Sequence, residues 1–181
     1  MDKISDILIN EIGVSDFCPE LLAHFERYQE SPRNWHKKDG RWVLRDEMFI
    51  EDWDNEKKIK IINGLRKDVE DGGSVLGAFW QNKIIGFASV RSNRFGTARQ
   101  YVELNMMHAS NGFRGRGIGK RLFKNICIRA RQLGAKKLYI SANPAEDSVA
   151  FYRKIGCVDA IEINSAISNN APFDYQFEYV L

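Results

Sequence analysis

The chain has 181 residues, 44% of them apolar and 28% charged, with a net charge of +3. These are the proportions of an ordinary globular chain that buries its own core without disulfides or metals, and a scattered +3 does not specify nucleic acid as a partner. The three cysteines, Cys18, Cys127 and Cys157, form no C-x-x-C pair, and His24, His36 and His108 have no ligand spacing. This excludes a disulfide framework and a metal site and fits a reducing, cytoplasmic compartment.

No apolar run approaches the roughly 20 residues of a membrane span, and the acids in the opening MDKISDILINE do not suit a secretory signal. Residues 6–12 are a short strand candidate, and 20–29 place Leu21, Leu22, Phe25 and Tyr28 at helical spacing. Residues 41–50 follow an Asp39-Gly40 turn and are expected to be extended. Residues 56–70 set Ile59, Ile62, Leu65 and Val69 on one helical face, closed by Asp71, Gly72 and Gly73.

From residue 74 the pattern changes. Residues 74–80 and 84–92 around the turn QNK read as an antiparallel hairpin, and 99–109 as a further strand. Alternation along that strand sets Glu103, Asn105 and Met107 on one face and His108 with Leu104 on the other. Ile118, Leu122, Ile126, Ala130 and Leu133 then mark a helix that Gly134 closes. Residues 136–141 form a buried strand candidate. Residues 143–156 form a helix, with Asn143 as its cap, Pro144 in its first turn and Glu146 near its positive end. Residues 157–163 and 173–181 are the last two strands, joined by a polar, turn-rich segment. The order specifies a mixed α/β chain on one sheet.

The most informative stretch is FRGRGIGKRLF, residues 113–123. A Walker A loop fails because Arg121 stands where Ser or Thr is required and Arg114 where the first glycine belongs. A dinucleotide fingerprint fails on the gap between Gly117 and Gly119 and on the antiparallel strand before it. What fits is R-x-x-G-x-G, with Arg114, Gly117 and Gly119 between a strand and a helix. Missing Cβ atoms let backbone N–H groups approach an anion, and the helix start adds unpaired donors and positive partial charge. Arg114, Arg116, Lys120 and Arg121 add full charge, so a pyrophosphate suits the site.

The segments YVELNMMHASNGFRGRGIGKRLF and SANPAEDSVAFYRKIGC, within residues 74–157, resemble the GNAT N-acetyltransferase superfamily. The first is similar to the family's R/Q-x-x-G-x-G/A motif after the fourth strand, the second to its F-Y-x-x-x-G helix after the fifth. The resemblance implies an α/β (α+β) fold, a single domain over residues 1–181. It would have a mixed, mostly antiparallel sheet of about six to seven strands and about four helices. Residues 1–70 would be the variable acceptor side and 74–157 the acetyl-CoA-binding core. It also implies acetyl-CoA as co-substrate, no metal, and direct transfer of acetyl to an amine.

By the same resemblance, backbone groups of Gly115, Gly117, Gly119 and Lys120 would hold the pyrophosphate, lined by Arg114 and Arg116. Met107, His108 and Ala109 would pair with pantetheine, and the Met107 N–H would polarise the thioester carbonyl. Asn143 and Ser148 would hydrogen-bond the pantetheine arm, although Ala145 stands where the family often has asparagine. Glu103, eleven residues before Arg114, matches a general-base position, and Tyr152 matches the acid that protonates the departing thiolate, with Phe151 as the core aromatic beside it.

For the acceptor, Trp35, Trp42, Trp53, Glu47, Asp52 and Asp54 either frame an aromatic, negative cleft for a small-molecule or peptide amine or pin a surface loop. Two further readings stay open: a non-catalytic acyl-CoA sensor, and an enzyme acting on a protein or aminoacyl-tRNA through the basic helix Lys120, Arg121, Lys124, Arg129 and Arg131. No residue pattern decides for or against a homodimer.

Overall fold

The computed structural model describes residues 7–181. The chain runs β1 (Leu8–Glu11), β2 (Tyr28–Lys38), β3 (Arg41–Asp52), α1 (Asn55–Glu70), β4 (Ser74–Trp80), β5 (Lys83–Val90) and β6 (Tyr101–Ala109). It continues through α2 (Ile118–Gln132), β7 (Lys137–Ala142), α3 (Glu146–Lys154), β8 (Val158–Asp159), α4 (Ser165–Asn170) and β9 (Tyr175–Val180). Seven strands form one sheet in the order β1-β4-β5-β6-β7-β9-β8, and β2 and β3 form a separate hairpin. All neighbours in the large sheet are antiparallel except β6 and β7.

Local chemistry explains most boundaries. Gln81 and Asn82 both have positive φ, as do Asp39 and Gly40, which gives the two hairpins the turn that matches strand twist. Asp54 caps α1 by accepting from the Lys57 N–H at 2.7 Å. α1 buries Ile61, Ile62 and Leu65 on one sheet face together with Phe25, Trp53 and Phe87. α2 buries Ile118, Leu122, Phe123, Ile126, Cys127 and Ala130 on the other face, where Val149 of α3 joins it. The strand beneath α2 is cut away for it: a Cβ on Gly86 would stand 2.8 Å from Ile118. That close approach seats the start of α2 over the end of β6.

Three local expectations are corrected. Residues 20–29 do not form a helix; a short 3-10 turn at Pro19–Leu22 leads through an irregular segment, 23–27, into β2. Tertiary bonds take the backbone groups a helix would use: Glu26 N–H donates to Ser110 Oγ at 3.0 Å, and Glu26 O accepts from Asn111 N–H at 2.8 Å. The expected strand at 157–163 is cut to Val158–Asp159, because Glu178 takes the Ile161 N–H and Glu162 binds the Thr97 N–H and Gln100. The polar segment after it contains α4, capped by Asn164, which accepts from the Ile167 N–H at 3.2 Å.

Leu122 is fully buried between α2 and the sheet. Leu122→Ala is expected to lower unfolding stability by about 2–5 kcal/mol, read from urea denaturation.

Candidate active site

β6 and β7 are paired only from Tyr101↔Lys137 to Leu104↔Ile140, and beyond that point they part. Each stays paired on its outer side, β6 to β5 as far as Ala109 and β7 to β9 as far as Ala142. The gap is therefore a wedge between two rigid strands. The Ser110 N–H bonds to Ile85 O at 2.9 Å. Strand alternation therefore turns the backbone groups of Ala109 and Met107 away from β5 and into the wedge. A cleft of about 270 Å³ occupies it.

Six of the residues singled out in the sequence line this one cleft: Met107, His108, Arg114, Asn143, Ser148 and Tyr152. Arg114 leans on the Ala109 carbonyl, Nε to O 3.5 Å, and its Nη2 is buried without a hydrogen-bond partner among the described residues. Asn143 does not cap α3. Its Oδ1 accepts from the Ala145 N–H at 2.9 Å, and Ala145 holds the cap position. Tyr152 packs against the main core and 5.3 Å from Phe151, ring to ring, so the expected division between a core Phe151 and a site-facing Tyr152 does not hold. Both line the cleft, and Phe151 also closes on the start of α2. Burial, then the nearby Cys157 and Asp174, raise the Tyr152 phenol well above its ordinary pKa, so it stays protonated.

Gly115, Arg116, Gly117, Gly119 and Lys120 sit just beyond the cleft at the start of α2. Gly115 and Gly117 have φ of +74° and +77°, a region that disfavours any side chain, and a Cβ on either would enter open space. Gly119 has a different reason: its Cβ would stand 3.2 Å from the Phe151 ring. No side chain caps α2, and the first internal bond is Arg121 N–H to Gly117 O at 3.1 Å. The N–H groups of Ile118, Gly119 and Lys120 are thus left for an anion. Arg116 lies over the Phe113 ring at 5.3 Å.

Glu103 is not on the same face as Met107. The β5–β6 register slips between Ser89↔Met106 and Val90↔Leu104, leaving Asn105 as an unpaired bulge residue. The bulge reverses the alternation. Met107 packs with Leu104 on the α2 side, while Met106 packs with the α1 cluster. Glu103 lies on the α1 side, paired with Arg91 at 2.8 Å. Burial raises its pKa, against the pull of Arg91. It lines a second hollow of about 250 Å³ that adjoins the cleft through Asn105 and Ser141 and is also walled by Asp174 and Asn170.

Of the two readings of residues 34–56, the tryptophans take the one that pins a surface segment. Trp42 stacks on Tyr175 at 4.2 Å, Trp35 packs on the main core, and Trp53 is buried beside Phe25 and His108. The tryptophans pin the hairpin down. The basic residues of α2 also divide: Arg121 donates to Ile7 O and Arg129 pairs with Glu11, while Lys120, Lys124 and Arg131 rim another hollow. Cys127 and Cys157 are buried, and burial pushes their thiols up to about 11 and about 12, so both stay protonated.

Cleft residues without a sequence signal include Arg27, Gln29 and Ser141. Arg27 is 8% exposed and is held by Glu51 at 2.6 Å and by Gln29 at 2.7 Å. Nothing in the one-dimensional pattern places a residue before β2 beside the end of β6.

A sheet split beside a glycine-rich helix start defines a class of ligand-binding α/β domain, and comparison supplies the family. The model of the acetyltransferase (GNAT) family matches residues 26–157. The chain belongs to this family. Among curated proteins, none matches. Solved structures similar in fold include a Bacillus anthracis str. Ames protein assigned as a streptothricin acetyltransferase, in complex with acetyl coenzyme A. It has 16% identity over 97% of this chain and 98% of that one, with a TM-score of 0.70. A nourseothricin acetyltransferase is similar at 14% identity, 96% of each chain and a TM-score of 0.63. A GNAT family acetyltransferase from Elizabethkingia anophelis with acetyl-CoA bound has 17% identity over 98% of this chain and 99% of that one, and a TM-score of 0.58.

Gly117→Glu would put a carboxylate into the open space at the helix start. It is expected to abolish coenzyme A binding in calorimetry, and unchanged affinity would contradict an anion site there. His108 carries a pH signature of its own. Burial first, then Arg27 and Arg114, lower its pKa from 6.5 to about 3. A folded-state pKa below the unfolded one contributes stability above pH 6.5 that is lost as pH falls toward 3. Between pH 6.5 and about 5, before most carboxylates titrate, His108→Gln is expected to flatten this loss in thermal melts.

Proposed function

We propose that the protein transfers the acetyl group of acetyl-CoA to a primary amine by direct attack, without an acyl-enzyme. The observation that carries this reading is the wedge between β6 and β7, with the open backbone of Met107 and Ala109 on one wall and the uncapped start of α2 at its end. A bound acetyl thioester supplies an activated acyl carbon.

The chain's own groups divide the remaining work. N–H groups from Gly115 to Lys120 and the guanidinium groups of Arg114 and Arg116 hold the pyrophosphate. Open space above Gly115 and Gly117 and the unpartnered Nη2 of Arg114 suit an anionic guest. Ala109, Asn143 and Ser148 hold the pantetheine arm along the wedge. The Met107 N–H faces the thioester oxygen and stabilises charge developing there. Tyr152 keeps its proton at neutral pH and gives it to the departing sulfur. The protonated thiols of Cys127 and Cys157 support transfer without a covalent intermediate. The amine enters through the hollow lined by Glu103, Asn105 and Asp174.

The test is thiol release from acetyl-CoA across an amine panel. Two structural neighbours are named for streptothricin and nourseothricin, so both compounds belong in the panel with spermidine, lysine and a peptide N-terminus. At least one amine is expected to raise release well above hydrolysis; silence across the panel would favour an acyl-CoA sensor. With an active amine, Tyr152→Phe is expected to lower kcat about 10-fold or more while leaving coenzyme A affinity within about twofold.

A further inference from the structure

The hollow beside the wedge contains two carboxylates in unequal circumstances. Glu103 is 12% exposed and already answered by Arg91 at 2.8 Å. The same guanidinium reaches Asp68 at 3.3 Å, and Asp68 accepts from Asn105 at 2.7 Å. Removing Glu103 from this chain of contacts to serve as a free base would leave Arg91 and Asp68 to re-pair.

Asp174 stands at the start of β9 with no such counter-charge. Among the described residues its one side-chain hydrogen-bond partner is Ser141, whose hydroxyl donates to Oδ2 at 2.9 Å and accepts from Gln176 Nε2 at 3.0 Å. Among the described residues no lysine, arginine or histidine pairs with it. Ser141 directly follows Ile140, the last residue of β7 that pairs with β6. Asp174 is therefore held beside the point where β6 and β7 part, in the hollow that adjoins the cleft through Asn105 and Ser141. Its charge is felt at the Tyr152 phenol, which packs against Phe177 of β9 on the same side of the wedge. Asp174 also lines an outer hollow with His36, Met48, Phe49 and Phe173, which gives the inner hollow a second mouth past the hairpin.

We propose that Asp174 receives the protonated acceptor amine in the hollow next to the cleft and takes its proton, while Glu103 acts as a positioning residue through Arg91. This rests on the amine reading above. One ammonium proton passes to the Asp174 carboxylate, and the freed nitrogen pair forms the C–N bond. The C–S bond breaks, and its electron pair leaves with sulfur. Sulfur takes a proton from Tyr152, and the second nitrogen proton restores the phenol. Asp174 returns its proton to water. The acceptor class is a primary ammonium, since the hollow next to the cleft holds one carboxylate without a paired cation.

The charged and titratable groups around Asp174 are Glu103 on β6, Arg91 after β5, Tyr152 on α3, and the His36–Glu47 pair of the hairpin. Burial raises the Asp174 pKa, against the Ser141 hydrogen bond. Activity that needs the carboxylate is lost as pH falls through that value.

The experiment measures kcat/KM against pH with acetyl-CoA and the fastest panel amine. Asp174→Asn is expected to lower kcat/KM about 100-fold or more and erase the acid limb. Coenzyme A affinity and melting temperature are expected to stay near wild type, and Asp174→Glu to recover part of the rate. Glu103→Gln keeps the limb. A limb that survives in Asp174→Asn, or that disappears in Glu103→Gln instead, overturns the assignment. A wild-type enzyme silent with every amine overturns the amine reading and this one together, an outcome distinct from either.

Discussion

The parting of β6 and β7 after Leu104 and Ile140 is the constraint on which the rest of the site depends. Unpaired strand backbone inside a protein is costly unless a partner meets it. Here both strands are held open by neighbours on their outer sides, so the gap cannot close by local relaxation. The exposed amides of Met107 and Ala109 then require a guest with an extended run of acceptors and donors. An amide-bearing arm such as pantetheine meets that requirement.

The helix at the end of the wedge extends the same logic to charge. α2 begins without a side-chain cap, and left-handed glycines carry the chain into it. Its seat over β6 depends on Gly86, which lets Ile118 and Leu122 lie directly on β5. The anion-binding end of the helix and the amide-binding gap are thus registered to each other by core packing. The geometry at the strand break brings together open N–H groups, the partly buried Tyr152 phenol and carboxylates in an adjoining hollow.

Much of this was legible in the sequence because it is local. The hairpin around Gln81 and Asn82, helices α1 and α2 and the strand from 101 to 109 follow from turn chemistry and periodicity. The glycine spacing, together with the later FYRKIG helix, was specific enough to point to the family. The failures share one cause. Residues 20–29 had helical spacing, but Ser110 and Asn111 claimed the Glu26 backbone. Alternation put Met107 on the Glu103 face, but a single bulge at Asn105 moved Met107 to the other side. The composition of 34–56 left its tryptophans open between a binding surface and a pinned segment, and packing on Tyr175 and the core decided it.

The sequence by itself determined the class of fold, the glycine-rich start of α2 and the chemical types available to the site. These depend on dihedral preference and on hydrophobic period, which neighbouring residues along the chain decide. Only the tertiary structure decided which carboxylate is paired with a cation and which is not. Glu103 and Asp174 lie far apart in sequence and are equivalent as residue types. Arg91 neutralises one and Ser141 merely orients the other, and that difference exists only once β6, β7 and β9 lie side by side.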